Sequence, residues 1–313
     1  MNPPYFSIIT PTVDRTDLLM RAIKSVLMQS FTDFEHIIVD DGNHPETEAV
    51  VGSFNDSRVY YIKNRNVRGA AAAFNTGIRA ARGRLISFLG DDDEFLQGML
   101  QKTYNLHQKW ADHIRFSFTG ILRVRQTKAG EQVILKHIWP EKFEDREQGL
   151  AVASGIGNGF GVFVRRTCFE QIGFYDEKLK YASDTEFMIR LAKNFEFRTV
   201  PEVLVKINMH SDQQLTDKKY GPVNWKGYYN TIHKHADFIF AHKKVMHAHA
   251  KAFTGISFKI KKKRSGRMMY LKLIRHYPFN WVFYADMLCY EMCGKHYKQW
   301  RNERRKRKLK RKG

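Results

Sequence analysis

Three consecutive carboxylates, Asp91, Asp92 and Asp93, follow the apolar run "LISFLG", and Glu94 comes directly after them. Adjacent carboxylates repel one another. At a strand end such a triplet is therefore either a solvated turn or a collector of positive charge. The charge best suited to it is a hard divalent ion, Mg2+ or Mn2+, which prefers oxygen ligands and shares its coordination with a phosphate. Two further polar clusters close apolar runs in the same way: Thr10-Pro11-Thr12 after "FSII", and Asp40-Asp41-Gly42 after "FEHIIV". Later in the chain Asp184 heads "SDTEFMIRLAKN", where its type and place alone suit a helix cap.

The elements that must hold these groups are legible from periodicity. "YFSIIT", "FEHIIVD", "RVYYIK" and "RLISFLG" read as strands. Between them "LLMRAIKSVLMQS", with Leu19, Ile23 and Val26 on one face, residues 45–54 and "AAAAFNTGIRAAR" read as helices. Alternation of this kind predicts an α/β fold, a doubly wound and mainly parallel sheet with helices on both faces. Ligands of such sheets bind beyond the carboxyl ends of the strands, where all three clusters fall. Further on, "IRFSFTGILRV" and "QVILKHIW" predict a strand pair, "GIGNGFGVFVRR" is punctuated by glycine, and residues beyond 222 read as helical.

Taken in order, "FSIITPTVDR", "SVLMQSFTDFEHIIVDDG", "NTGIRAARGRLISFLGDDDEF" and "GFYDEKLKYASDTEFMIRL" resemble glycosyltransferase family 2, inverting enzymes of the GT-A fold. The resemblance runs over about residues 5–210. It implies metal-dependent transfer of a sugar, with inversion, from a nucleotide-sugar donor, a UDP-sugar by expectation, to a hydroxyl of a glycan or lipid-linked acceptor in polysaccharide or glycoconjugate synthesis. By position, Pro11, Thr12 and Asp41 would line the pocket for the base, and Asp41 would accept from its ring N–H. Asp91 and Asp92 would occupy the DxD-type region, one near the ribose and the other on the Mn2+ or Mg2+ bridging the diphosphate, so both count as metal candidates. Asp184 would be the catalytic base. His210, in "INMHSDQQ", would meet the metal or diphosphate, or else be a solvated loop histidine; Arg68 would reach a phosphate or stay in solvent. Asp40 is read as structural, and Asn75 and Gly77 as packing residues.

The sequence departs from the family in three places. Val13 stands where an aromatic residue often stacks on the base, Gly90 where aspartate is common, and "DDGNHPET" replaces a Ser-rich turn.

Charge divides the chain. Residues 241–313 hold 22 Lys and Arg against three acids, Asp286, Glu291 and Glu303, whereas the first 240 hold 31 against 29. A nearly neutral body thus carries a strongly basic tail. Expected boundaries are a catalytic domain over 1–215, its nucleotide-sugar half at about 1–110 and acceptor half at about 111–215, and a helical, basic, membrane-associating extension over 216–313. Trp281, Tyr284, Leu288 and Met292 follow helical spacing, which fits a face packed on the body or one laid into lipid. The tail is expected to contact an anionic membrane surface. Nucleic-acid binding is the rival class, ranked second because no recognised nucleic-acid motif is present. A metal-dependent nucleotidyl or phosphoryl transferase is a third reading and lacks a P-loop lysine motif.

With 43% hydrophobic residues the chain can bury a sizeable core. "MNPPYFSIITP" lacks the basic n-region of a signal peptide and no segment is long and apolar enough to span a bilayer, so the expected location is cytoplasmic, peripheral on the inner face of the plasma membrane. Cys168 stands alone, and Cys289 and Cys293 lie one helical turn apart, read as buried core thiols rather than a metal pair.

Overall fold

The computed structural model describes residues 2–42, 45–65, 69–111, 113–127, 130–209 and 221–293. The chain divides into two compact units, Met1–Gly149 with Ala153–Gln214, and Leu150–Val152 with Leu215–Gly313. In the first unit the order begins β1 (Phe6–Thr12), α1 (Thr16–Leu27), β2 (Phe34–Asp40), α2 (Glu46–Gly52), β3 (Val59–Lys63), α3 (Ala70–Ala80) and β4 (Leu85–Phe88). It continues with β5 (Glu94–Phe95), α4 (Met99–Lys109), β6 (Phe116–Thr127), β7 (Gly130–His137) and α5 (Arg146–Ala153), of which Leu150–Val152 count with the second unit. A 3-10 turn (Asn158–Phe160), β8 (Phe163–Arg165), α6 (Arg166–Ile172), α7 (Ser183–Asn194) and β9 (Phe197–Met209) complete it.

Every residue of β2 is buried, which is why "FEHIIVD" reads as a nearly continuous apolar run. Two of its three polar members, Glu35 and His36, are paired within the sheet. Glu35 accepts from Ser7 Oγ at 2.6 Å and from the Arg82 backbone at 2.7 Å, and His36 Nε2 lies 2.9 Å from Thr10 Oγ1. Burial lowers the His36 pKa to about 3, so the imidazole is neutral. Helix α1 covers the sheet with Leu19, Ala22, Ile23 and Val26, the stripe its spacing predicts.

Strands β3, β2, β1 and β4 pair in parallel, as expected. Beyond β4 the sheet is mixed. β8 runs antiparallel to both β4 and β6, β6 pairs β7 antiparallel, β9 returns parallel to β6, and β5 closes antiparallel on β9. β9 has no counterpart in the sequence reading. Pro201 and the flanking charges interrupt its pattern, and the pairing with β6 shifts register at Gly120, where a Cβ would lie 2.6 Å from the Glu202 carbonyl. A proline in a strand is tolerated at such an irregularity.

The second unit is helical: α8 (Gly221–Lys234), α9 (Ala236–Ala241), α10 (Lys243–Lys259), α11 (Lys263–His276) and α12 (Trp281–Cys293). Tyr270 is fully buried, with Phe258, Met287 and Cys289 packed against it. Cys289 is half-buried rather than a buried core thiol, and the side chain of Cys293 lies outside the described residues. Polar pairs occupy the interior as well. Tyr228 Oη is 2.7 Å from His249 Nδ1, and Asp286 meets His247 at 2.8 Å and Lys251 at 3.2 Å. Among the described residues no helix is long and apolar enough to cross a membrane.

Candidate active site

The parallel register of β1, β2 and β4 brings the three polar clusters together. Thr12, the last residue of β1, pairs with Asp40 on β2. Its Oγ1 donates to Asp91 Oδ2 at 2.8 Å, and its carbonyl accepts from the Asp41 backbone N–H at 2.9 Å. Thr12, Asp41 and Asp91 thus form one connected group, with Pro11 preceding on the same strand end. Asp41 is buried and accepts from Asn64 Nδ2 at 2.6 Å and from the Gly69 N–H at 2.8 Å. Gly69 adopts φ 129°, which a residue with a side chain rarely does, and its N–H begins the approach to α3. Asp40 turns the other way, to Tyr61 Oη at 2.8 Å, Lys63 Nζ at 2.7 Å and the Gly42 N–H at 2.9 Å. That full complement is structural.

The triplet lies in the turn between β4 and β5. Arg15 spans its outer side, with Nη2 2.8 Å from Asp91 Oδ1 and Nη1 3.4 Å from Asp92 Oδ2. Local geometry aims this arginine. Asp14 holds φ 51°, and a Cβ on Gly42 would fall 2.2 Å from Asp14 Oδ1, so only glycine at 42 leaves room for it. Asp93 is buried beneath and accepts from the Asn208 N–H at 3.1 Å. The Asn208 amide donates to the Asp92 carbonyl and to Glu94 Oε1, both at 3.0 Å, and Arg21 donates to the same Asp92 carbonyl at 2.9 Å. Gly90 also has a steric reason: a Cβ there would approach Asp92 Oδ1 at 2.8 Å and Asp93 Oδ2 at 3.2 Å.

Burial pushes the Asp91 carboxyl up to about 6, against the opposing pull of Arg15, and burial with the neighbouring aspartates raises Asp93 as well. The carboxylate oxygens of the cluster are the donors a hard divalent ion takes. Among the described residues no three acidic, His or Cys groups converge enough to hold an ion by themselves. Asp91 and Asp92 fit an ion that takes one or two carboxylates from protein and the rest from phosphate and water.

Asp184 is the second residue of α7. The cap position is Ala182, whose side chain makes no capping bond. Asp184 Oδ1 accepts from the Thr185 N–H at 2.7 Å, and the carboxylate also accepts from the Asn158 backbone. It keeps some exposure although protein surrounds it, and that desolvation raises its pKa. The 3-10 turn runs between this carboxylate and the triplet. A Cβ at Gly157 would sit 2.6 Å from Asp184 Oδ2, and one at Gly159 would sit 3.5 Å from Asp93 Oδ2. Tyr175 Oη donates to Asn158 Oδ1 at 2.8 Å, and the Tyr175 backbone is clasped by Asn75 through bonds of 3.0 and 2.9 Å. Asn75 and Gly77 are packing residues as expected, for a Cβ on Gly77 would strike Ile9 Cγ2 at 2.4 Å.

Pro11, Thr12, Asp41, Asp91 and Asp92 thus gather at one sheet edge, and Asp184 stands across the glycine turn. Arg68 and His210 lie outside the described residues. Sequence reasoning passed over Arg15, Asn208 and the glycines at 157 and 159. Arg15 ends the stretch "FSIITPTVDR", and the "GIGNGFG" punctuation was the available signal for the turn.

The family model described as "Glycosyl transferase family 2" matches residues 7–173. The chain is 32% identical to the putative colanic acid biosynthesis glycosyl transferase WcaA of Escherichia coli K12, over 75% of this chain and 83% of that protein. It is 30% identical to the GalNAc(5)-diNAcBac-PP-undecaprenol beta-1,3-glucosyltransferase of Campylobacter jejuni, over 62% of each. Its fold is similar to S. aureus TarS, with a TM-score of 0.63 at 15% identity over 96% of this chain and 87% of that one. It is also similar to the mannosyltransferase PcManGT of Pyrobaculum calidifontis in complex with GDP-Man and Mn2+, with a TM-score of 0.61 at 16% identity over 96% and 84%.

Proposed function

The chain belongs to glycosyltransferase family 2, and from that premise we propose that it moves a sugar from a UDP-sugar, with inversion, to a hydroxyl of a lipid-linked or otherwise membrane-borne glycan. It is a glycosyltransferase of the GT-A fold. The observation that carries the reading is the meeting of Thr12, Asp41 and Asp91 at the carboxyl ends of β1, β2 and β4. Support for the donor comes from TarS, whose fold is also similar in its complex with UDP-GlcNAc (TM-score 0.57), and for the acceptor from the undecaprenol-linked substrate in the Campylobacter relative's name.

In this reading Pro11, Thr12 and Asp41 receive the base, Asp41 accepting from its ring N–H. Asp91 would face the ribose, and Asp92 with Asp91 would hold the ion. A divalent ion bound there supplies Lewis-acid neutralisation of the departing diphosphate. Arg15 bridges the two carboxylates, holding them side by side. Asp184 takes the proton as the acceptor oxygen attacks the anomeric carbon from the side opposite the diphosphate. Its raised pKa makes it a stronger base than an ordinary aspartate. One displacement breaks the bond to the diphosphate, so an α-linked donor gives a β-linked product. Residues 1–215 form the catalytic part and 216–313 the extension, whose basic end lies on an anionic leaflet from the cytoplasmic side.

The test is thermal stabilisation and donor hydrolysis with Mn2+ across UDP-, GDP- and TDP-sugars. The expected result is stabilisation by a UDP-sugar that disappears with chelator. Preference for a GDP- or TDP-sugar would overturn the base assignment, and indifference to every donor would overturn the catalytic reading.

A further inference from the structure

Helix α12 carries large apolar residues on its outward face as well as its inward one. Trp281, Tyr284, Leu288 and Met292 are all exposed, Trp281 by 75% and Met292 by 84%, and their spacing places them in one stripe. Phe279, in the turn that leads into this helix, is 99% exposed. The sheltered face is already occupied: Phe283 is buried, Met287 and Cys289 pack against Tyr270 of α11, and Asp286 meets His247 and Lys251. A helix of a water-soluble bundle turns its apolar stripe to the core. This one turns Phe283, Met287 and Cys289 inward and carries a second apolar set, Trp281, Leu288 and Met292, on the open face.

We propose that the outward face of α12, with Phe279 at its leading turn, is an interfacial membrane-binding wedge that lies in the headgroup layer of an anionic bilayer. Three observations select lipid over other occupants. The exposed set includes Trp and Tyr, the residues favoured at that depth. The neighbouring helix α11 exposes Arg264, Lys272 and Arg275 alongside Met268 and Leu271, a basic and apolar mixture that suits anionic headgroups. Residues 294–313, which continue from α12, carry eleven Lys and Arg against one acid. No described helix is long and apolar enough to span, so the wedge lies on the surface. The inference gives the proposed membrane-borne acceptor its docking surface. It rests on that reading for its purpose and on the exposure of α12 for its geometry.

The wedge predicts binding of two kinds. Charge attracts the protein, and it weakens with salt because screening sets in beyond ~8 Å at physiological ionic strength. Inserted side chains hold it after the salt is raised. Flotation of the full chain with vesicles of phosphatidylglycerol and phosphatidylcholine should leave a bound fraction that survives high salt. Trp281→Glu with Leu288→Glu should lower that salt-resistant fraction roughly tenfold or more, and Phe279→Glu alone, at a fully exposed turn, should lower it in part. Both variants should keep the wild-type thermal stabilisation by UDP-sugar and Mn2+, which reports folding and the donor site independently of lipid. Wild-type flotation by both variants, with loss only when residues 294–313 are removed, would overturn the wedge. So would a concentration-dependent dimer that the same substitutions dissociate without changing flotation, since the occupant would then be a second copy. Absence of donor stabilisation in the wild type would count against the catalytic reading and leave the flotation result standing.

Discussion

The two units place polarity in opposite ways. In the sheet unit charge is buried where apolar residues are expected: Asp91 and Asp93 lie inside the turn after β4, and Asp40 and Asp41 close β2 from within. In the helical unit apolar groups are exposed where charge is expected, while His249, Thr231, Thr254 and Ser257 are enclosed. Both arrangements run against the hydrophobic effect, which favours the reverse in each location. Asp40 is offset by its bonds to Tyr61, Lys63 and the Gly42 N–H, which leaves the group around Asp91 and the open face of α12 as the two incompletely compensated arrangements. In the proposed reading the complement in the sheet unit is a cation and in the helical unit a lipid surface.

The sharpest way to break this contrast is at Asp184. Asp184→Asn should reduce turnover by roughly two to four orders of magnitude with donor binding unchanged. Burial raises the Asp184 pKa, and the base works ionised. Activity should therefore fall on acidification at a pH above the ordinary aspartate value of about 3.9, and the variant should lack that limb. Near-normal turnover at saturating donor would return Asp184 to the first turn of α7 as a purely structural group.

Asp92→Ala comes next. Calorimetry should lose the Mn2+-dependent part of donor affinity while the fold persists, and Asp91→Ala should lose it only in part. Unchanged affinity would mean that the turn holds no ion. A smaller effect separates the units by packing. Gly42→Ala drives a methyl into Asp14 and should cost about 1–3 kcal/mol in denaturant unfolding, whereas Leu288→Ser on the open face of α12 should stay within about 0.5 kcal/mol. The smallest change in chemistry is expected from removing residues 303–313. Vesicle binding should weaken and become less salt-sensitive, while donor hydrolysis continues. Tight RNA binding by the full chain, without vesicle binding, would move the tail into the nucleic-acid class.

Legibility followed the range of the interactions. β1, β2 and β4 could be read because strands buried on both faces leave continuous apolar runs, and the clusters at their ends follow from chain direction alone. β9 could not, since Pro201 breaks the pattern and only the register shift against β6 accommodates it. Arg15 was hidden for a different reason. Its role depends on the backbone of Asp14 and on the space left by Gly42, two features that are far apart in sequence. The stripe of α12 was visible as spacing, but spacing alone does not tell a face packed on protein from an open one; exposure does.

The bonds from Asn75 through Tyr175 and Asn158 to Asp184 have a practical consequence for chimeras. Acceptor specificity is an obvious target for exchange between relatives, and residues 153–194 look like a convenient cassette. Transplanting them would cut the amide clasp on Tyr175 unless position 75 travels too, because the recipient helix must present the same side chain to a new backbone. A graft matched at Asn75 should recover more activity than an otherwise identical one with alanine there, and the two should differ in turnover rather than in donor affinity. The segment to exchange is thus defined by its hydrogen-bond partners and is discontinuous in the gene.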